Sequence, residues 1–121
     1  MVPSELFEEI LAKPDLYIGV RSVLRSAIYM MGYTHAQSEL EVLKEDDIYF
    51  GFQQWVEEKY DLQTSHGWWS LISFMCHDDA EAFETAKAYW EEYKQSLARK
   101  SGKSRKQAAR APRSRAKARK Q

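Results

Sequence analysis

Asp78-Asp79-Ala80-Glu81-Ala82-Phe83-Glu84-Thr85-Ala86-Lys87-Ala88-Tyr89-Trp90-Glu91-Glu92-Tyr93-Lys94-Gln95-Ser96-Leu97 is the stretch that decides the fold. Phe83, Ala86, Trp90, Tyr93 and Leu97 recur at steps of three and four, the period of one helical face. Asp78 can cap the first turn, with Glu81 three residues on as the partner of a capping box. Neither glycine nor proline interrupts the run. A long amphipathic helix follows, and its apolar stripe requires other apolar stripes to pack against.

Working back towards the N-terminus, the same spacing returns in shorter pieces. Leu6, Phe7, Ile10 and Leu11 predict a first helix, capped by Ser4 and ended by Lys13-Pro14, because proline disfavours helical backbone at the residue before it. Pro14 to Gly19 reads as a turn or extended link with Leu16 and Ile18 inward. Ser22 caps a second helix to about residue 38, with Leu24, Ala27, Ile28 and Met31 as its inward stripe. Asp47 caps a third, whose inner side is Ile48, Phe52, Trp55, Val56 and Tyr60 while Glu57, Glu58 and Lys59 face water. Ser65 caps a fourth, on which Trp68, Leu71, Ile72 and Met75 form the apolar row. The expected fold is therefore all-α, a compact bundle of about five helices with a disordered basic C-terminal tail.

Charge divides the chain in the same place as hydrophobicity. Residues 1–98 hold all 18 acids against seven bases, a balance of −11, and residues 99–121 hold eleven bases and no acid. All four Trp, seven Tyr and five Phe also precede residue 94. A segment without large apolar residues cannot offset its ordering entropy, so the reading is an acidic helical domain over 1–98 and a disordered Lys/Arg-rich tail over 99–121. The acidic start lacks the charge and apolar pattern of a secretory signal, and no run reaches the roughly 18 apolar residues of a membrane span. A cytoplasmic protein without membrane contact is the expectation.

No constellation reads as an enzyme active site, and no cofactor or metal is expected. Cys76, His77, Asp78 and Asp79, with His66, are ligand types without the paired spacing of a zinc site. Ser65-His66 and Ser70 lack a nucleophile elbow. The informative residues are of another kind. Trp69 falls one position off the buried stripe of Trp68, so it is expected to be partly exposed, and aromatics among acids are typical of binding hot spots. Glu39, Glu41, Asp46, Asp47, Glu57 and Glu58 complete the expected protein-binding surface. Arg99, Lys100, Lys103, Arg105, Lys106, Arg110, Arg113, Arg115, Lys117, Arg119 and Lys120 form a segment able to hold nucleic-acid phosphates without reading bases.

Lys13-Pro14-Asp15-Leu16-Tyr17-Ile18-Gly19 is similar to a stretch near the start of gyrase-type ATPase domains, but no glycine-rich nucleotide motifs follow it. Taken with Gly32-Tyr33, Phe52-Gln53-Gln54-Trp55-Val56 and Gly67-Trp68, the order over roughly residues 6–95 resembles a family of small bacterial helical proteins, some of which look like immunity proteins accompanying secreted toxins. That resemblance implies a non-enzymatic protein that neutralises a toxin, and it assigns no site residue. An acidic domain also suits a basic protein partner on electrostatic grounds. The alternative expectation is a nucleic-acid-associated accessory protein acting through the basic tail.

Overall fold

A computed structural model describes the backbone of residues 1–110 and the side chains as far as Ser101. Among the described residues there are six α-helices, one 3₁₀ turn and no strand. The helices are α1 (Pro3–Ala12), α2 (Pro14–Tyr17), α3 (Val23–Glu39), α4 (Phe52–Tyr60), α5 (Trp68–Phe74) and α6 (Asp79–Arg110), with the 3₁₀ turn (Ile48–Gly51) leading into α4. The chain divides into two units within α6, Met1–Trp90 and the part from Glu91 onward.

The first unit is organised around aromatic rings. Phe7 of α1 has the rings of Trp90, Tyr49, Trp68 and Phe52 around it at 4.9, 5.1, 5.3 and 5.9 Å, mostly edge to face. This is the geometry that aromatic quadrupoles favour. Trp90 donates its indole N–H to Glu8 Oε2 at 3.1 Å, so the buried ring keeps a partner for its polar atom. Phe83, Ala86 and Trp90 of α6 are buried as the opening stretch predicts.

Helix ends follow capping chemistry, though not always with the expected residue. Ser22 Oγ accepts from Arg25 N at 3.0 Å, and Asp78 Oδ1 accepts from Glu81 N at 2.8 Å, as read, but the Glu81 carboxylate accepts from His77 N at 3.0 Å and not from Asp78 N, so the expected capping box is only half formed. Asp47 does cap, but the 3₁₀ turn and not α4 directly, accepting from Tyr49 N at 3.1 Å. Ser4 is not the cap of α1, which begins one residue earlier with Pro3 at its first position. Proline suits that position because its missing N–H has no partner there anyway. Ser65 is likewise displaced as a cap, since α5 starts at Trp68 with Gly67 as the flanking residue.

Several expected inward residues turn out elsewhere, Ile48 among them at 39% exposed. Pro14–Tyr17 is a helical turn and not an extended link, and it leaves Leu16 75% exposed. Met75 lies past the end of α5 and is exposed. Trp55 is half-buried, with Lys59 Nζ 5.3 Å from its ring centre.

The largest correction concerns α3. Its buried side is Val23, Ser26, Ala27 and Met30, whereas Leu24, Ile28 and Met31 are exposed. That side packs against α1 and α5. The buried Ser26 hydroxyl is satisfied by donating to Ser22 O at 2.8 Å.

From Glu91 onward α6 carries a Lys94–Glu91 ion pair of 3.2 Å, a buried Tyr93 and a half-buried Leu97. The helix continues through residue 98 to Arg110, a segment rich in the good helix formers Ala, Gln, Lys and Arg. Arg113, Arg115, Lys117, Arg119 and Lys120, and the disorder expected of them, lie outside the described residues.

Candidate protein-binding site

Helix α4 is amphipathic in a simple way. Phe52 and Val56 point into the aromatic core, which leaves Gln53, Gln54, Glu57 and Glu58 along the opposite side. The helix stops at Asp61, in the left-handed conformation (φ 56°), whose N–H bonds the carbonyls of Glu57 and Glu58. Leu62 N also donates to Glu57 O at 2.9 Å, folding the chain back over the helix end. Leu62 and Phe50, which flank the helix, keep 43% and 40% of their surfaces in solvent.

Between them lies an open depression of about 310 Å³, lined by Phe50, Gln53, Gln54, Glu57, Glu58, Leu62 and Gln63. Its two acids are held in a particular way. Gln53 Nε2 donates to Glu57 Oε2 at 2.8 Å and Gln54 Nε2 to Glu58 Oε2 at 3.0 Å, two successive i, i+4 pairs. An amide donor orients a carboxylate without cancelling its charge. The seven lining residues include no Lys or Arg, and α4's own base, Lys59, lies over the rings of Trp55 and Tyr89. Gln53 is fixed in turn by a second donation to His66 O at 3.1 Å and by accepting from Trp68 N at 2.6 Å.

The six expected acids divide into three groups. Glu57 and Glu58 share the depression just described, and none of the other expected residues lines it. Glu39, Glu41 and Asp46 are exposed at the end of α3 and in the loop beyond it, with Glu39 4.0 Å from His35 and Glu41 at φ 60°. Asp47 has a structural task, since its carboxylate accepts from Ser4 N at 2.8 Å and Ser4 Oγ at 2.9 Å as well as from Tyr49 N. It clamps α1 to the 3₁₀ turn.

Trp68 is 3% exposed and Trp69 half-buried, so the neighbours differ in the expected sense. The Trp69 ring nevertheless lies against the Gly67 backbone, where an added Cβ would come within 2.3 Å of it, and stands edge-on to Trp68 at 5.6 Å. The residues that sequence reasoning missed are Phe50, Gln53, Gln54 and Leu62. Gln-Gln-x-x-Glu-Glu at i, i+4 spacing was the signal available for the pair of held acids.

Other polar clusters in the first unit have internal partners. Cys76 Sγ donates to Thr85 Oγ1 at 3.6 Å, His77 meets Glu81 at 3.3 Å, and Asp79 Oδ1 accepts from Val23 N at 3.0 Å. Among the described residues no group of three or more His, Cys, Asp or Glu could hold a metal ion, and no helix is long and apolar enough to cross a membrane. A depression of about 480 Å³ by Pro14 and Gly19 is lined by two acids and two bases, among them the 3.2 Å pair Arg21–Glu84. Comparison with protein families, with curated proteins and with solved structures found no match.

Arg99 and Lys100 are exposed on α6. Lys103, Arg105, Lys106 and Arg110 fall in the same helix, beyond the last described side chain.

Proposed function

We propose that this is a non-enzymatic binding protein whose α4 face takes a basic segment of another protein, in the manner of an immunity protein that neutralises a toxin. One observation carries the reading. Glu57 and Glu58 are oriented by neutral glutamines beside the exposed Phe50 and Leu62, so two carboxylates with no base among the lining residues sit at an apolar edge. A partner offering Lys or Arg next to an apolar side chain meets both. Side chains already held in place lose little rotamer freedom on binding. The −11 balance of residues 1–98 adds long-range attraction for such a partner. The resemblance to immunity-like proteins agrees with this chemistry.

Capture from cell extract with the full chain, after nuclease treatment, tests the reading. A basic protein should be retained, and Glu57→Lys/Glu58→Lys should release it. Retention that vanishes with nuclease would instead favour the second reading, a nucleic-acid accessory protein binding phosphates through the basic segment from Arg99. That reading is favoured by the eleven bases of residues 99–121, which have no acid among them.

A further inference from the structure

Helix α3 has a second apolar side that the first unit leaves in solvent. Leu24, Ile28 and Met31 are 51%, 54% and 46% exposed. Leu24 and Ile28 begin an i, i+4 row that continues through Gly32 and Ala36, both also exposed. The row is thus large in its first half and small in its second.

Gly32 is the informative member. Glycine is a poor helix former, yet this one lies inside a 17-residue helix. A Cβ built on it would meet nothing within 4 Å, so no packing among the described residues calls for glycine. The gap it leaves faces outward and lies four residues from Ile28.

Turned end for end, the row is complementary to itself. Ridges of this spacing interdigitate with those of a partner when two helices cross at about 50°, and a gap in the ridge lets them approach at that point. A two-fold axis through the middle of the row sets Ile28 of each copy over Gly32 of the other, and Leu24 over Ala36. This is an isologous contact, the commonest kind in homodimers. Charge selects the same polarity. Arg21 and Arg25 stand at the start of α3 and Glu39 at its end, so an antiparallel pair brings the basic end of each helix towards the acidic end of the other. A parallel pair would set like charges together. Arg25 is kept at that end by donating to Ile18 O at 3.0 Å, and Arg21 by its pair with Glu84.

We propose that the outer face of α3 is a homodimer interface, with α3 packed antiparallel on α3 of a second copy and Ile28 seated over Gly32. The contact uses none of the residues that line the α4 depression, so it stands or falls independently of the proposed partner site.

Sedimentation velocity of the full chain over a concentration series tests it. The wild-type chain should associate reversibly to a dimer. Gly32→Gln fills the gap with a better helix former and should weaken dimerisation by about tenfold or more, while the melting midpoint of dilute protein holds or rises. Ile28→Ser should weaken it as well, from an exposed position that the fold does not need. Glu39→Arg should weaken it, and adding Arg25→Glu to that variant should restore part of the loss. A chain that stays monomeric at the highest concentration it tolerates would overturn the proposal. So would a dimer that Gly32→Gln leaves unchanged.

Discussion

Helices α3 and α4 each bury one side in the same unit, and they differ in what they present on the other. Outside, α4 is polar, with two glutamines holding two glutamates. Outside, α3 is apolar, with Leu24, Ile28 and Met31 half in water. Single-sided apolarity identifies the buried face of a helix, but a helix that is apolar on two sides needs another criterion. In α3 hydrophobicity does not separate the two sides, since Val23, Ala27 and Met30 pack while Leu24, Ile28 and Met31 do not. The two helices therefore present outer surfaces of different chemistry, one acidic and pre-oriented, the other apolar with a gap at Gly32.

Adjacent methionines provide the largest contrast. Met30 is fully buried and Met31 is 46% exposed. Met30→Ala should cost about 2 to 5 kcal/mol through lost burial and a cavity, and Met31→Ala in dilute protein should stay within about 0.5 kcal/mol. Denaturant titration of both decides which side of α3 packs, and equal losses would break the assignment.

Two carboxylates give the next contrast. Asp47→Ala removes an acceptor from three donors at the α1 contact and should cost about 1 to 3 kcal/mol. Glu58→Ala, on the outer side of α4, should leave stability within about 0.5 kcal/mol. A smaller gain is expected at Gly32→Ala, about 1 kcal/mol in the thermal stability of dilute protein, because only helix propensity changes there.

The aromatic core adds a pH effect. Burial pushes the Tyr49 hydroxyl from 10.0 up to about 12, against a smaller opposing effect of its hydrogen bond with Trp68. The fold thus favours the neutral phenol. Its contribution is complete below about pH 10 and is lost as pH rises through about 12. Tyr49→Phe should flatten the fall in stability across that window, as measured by urea titration at several pH values.

Much of this architecture could be read from residue spacing, and the failures share a cause. Helix α6, the buried Phe52 and Val56 of α4 and the stripe of Trp68, Leu71 and Ile72 all have one apolar face, so periodicity alone located their buried sides. Leu16, Trp55 and the outer row of α3 were misplaced because hydrophobicity says that a residue could be buried and not which neighbour leaves room for it. The same holds for the site. Glu57 and Glu58 were legible as acids on the outer side of α4. Their orientation by Gln53 and Gln54 required knowing that Gln53 is itself held by the chain at His66 and Trp68. Asp47 shows the converse, an acid legible both as a cap and as surface, whose two donors on Ser4 could not be read from spacing.

Whether the oriented acids of α4 take a basic protein partner is decided by measuring, with the purified partner and nuclease-treated material, the affinity of the full wild-type chain, of Glu57→Lys/Glu58→Lys and of a chain with Arg99 and Lys100 changed to Gln. A loss of about 2 kcal/mol or more is expected for the α4 pair, with a steep weakening of wild-type binding by salt and little change for the α6 pair. Undiminished binding by Glu57→Lys/Glu58→Lys, together with loss on changing Arg99 and Lys100, would contradict that role for α4.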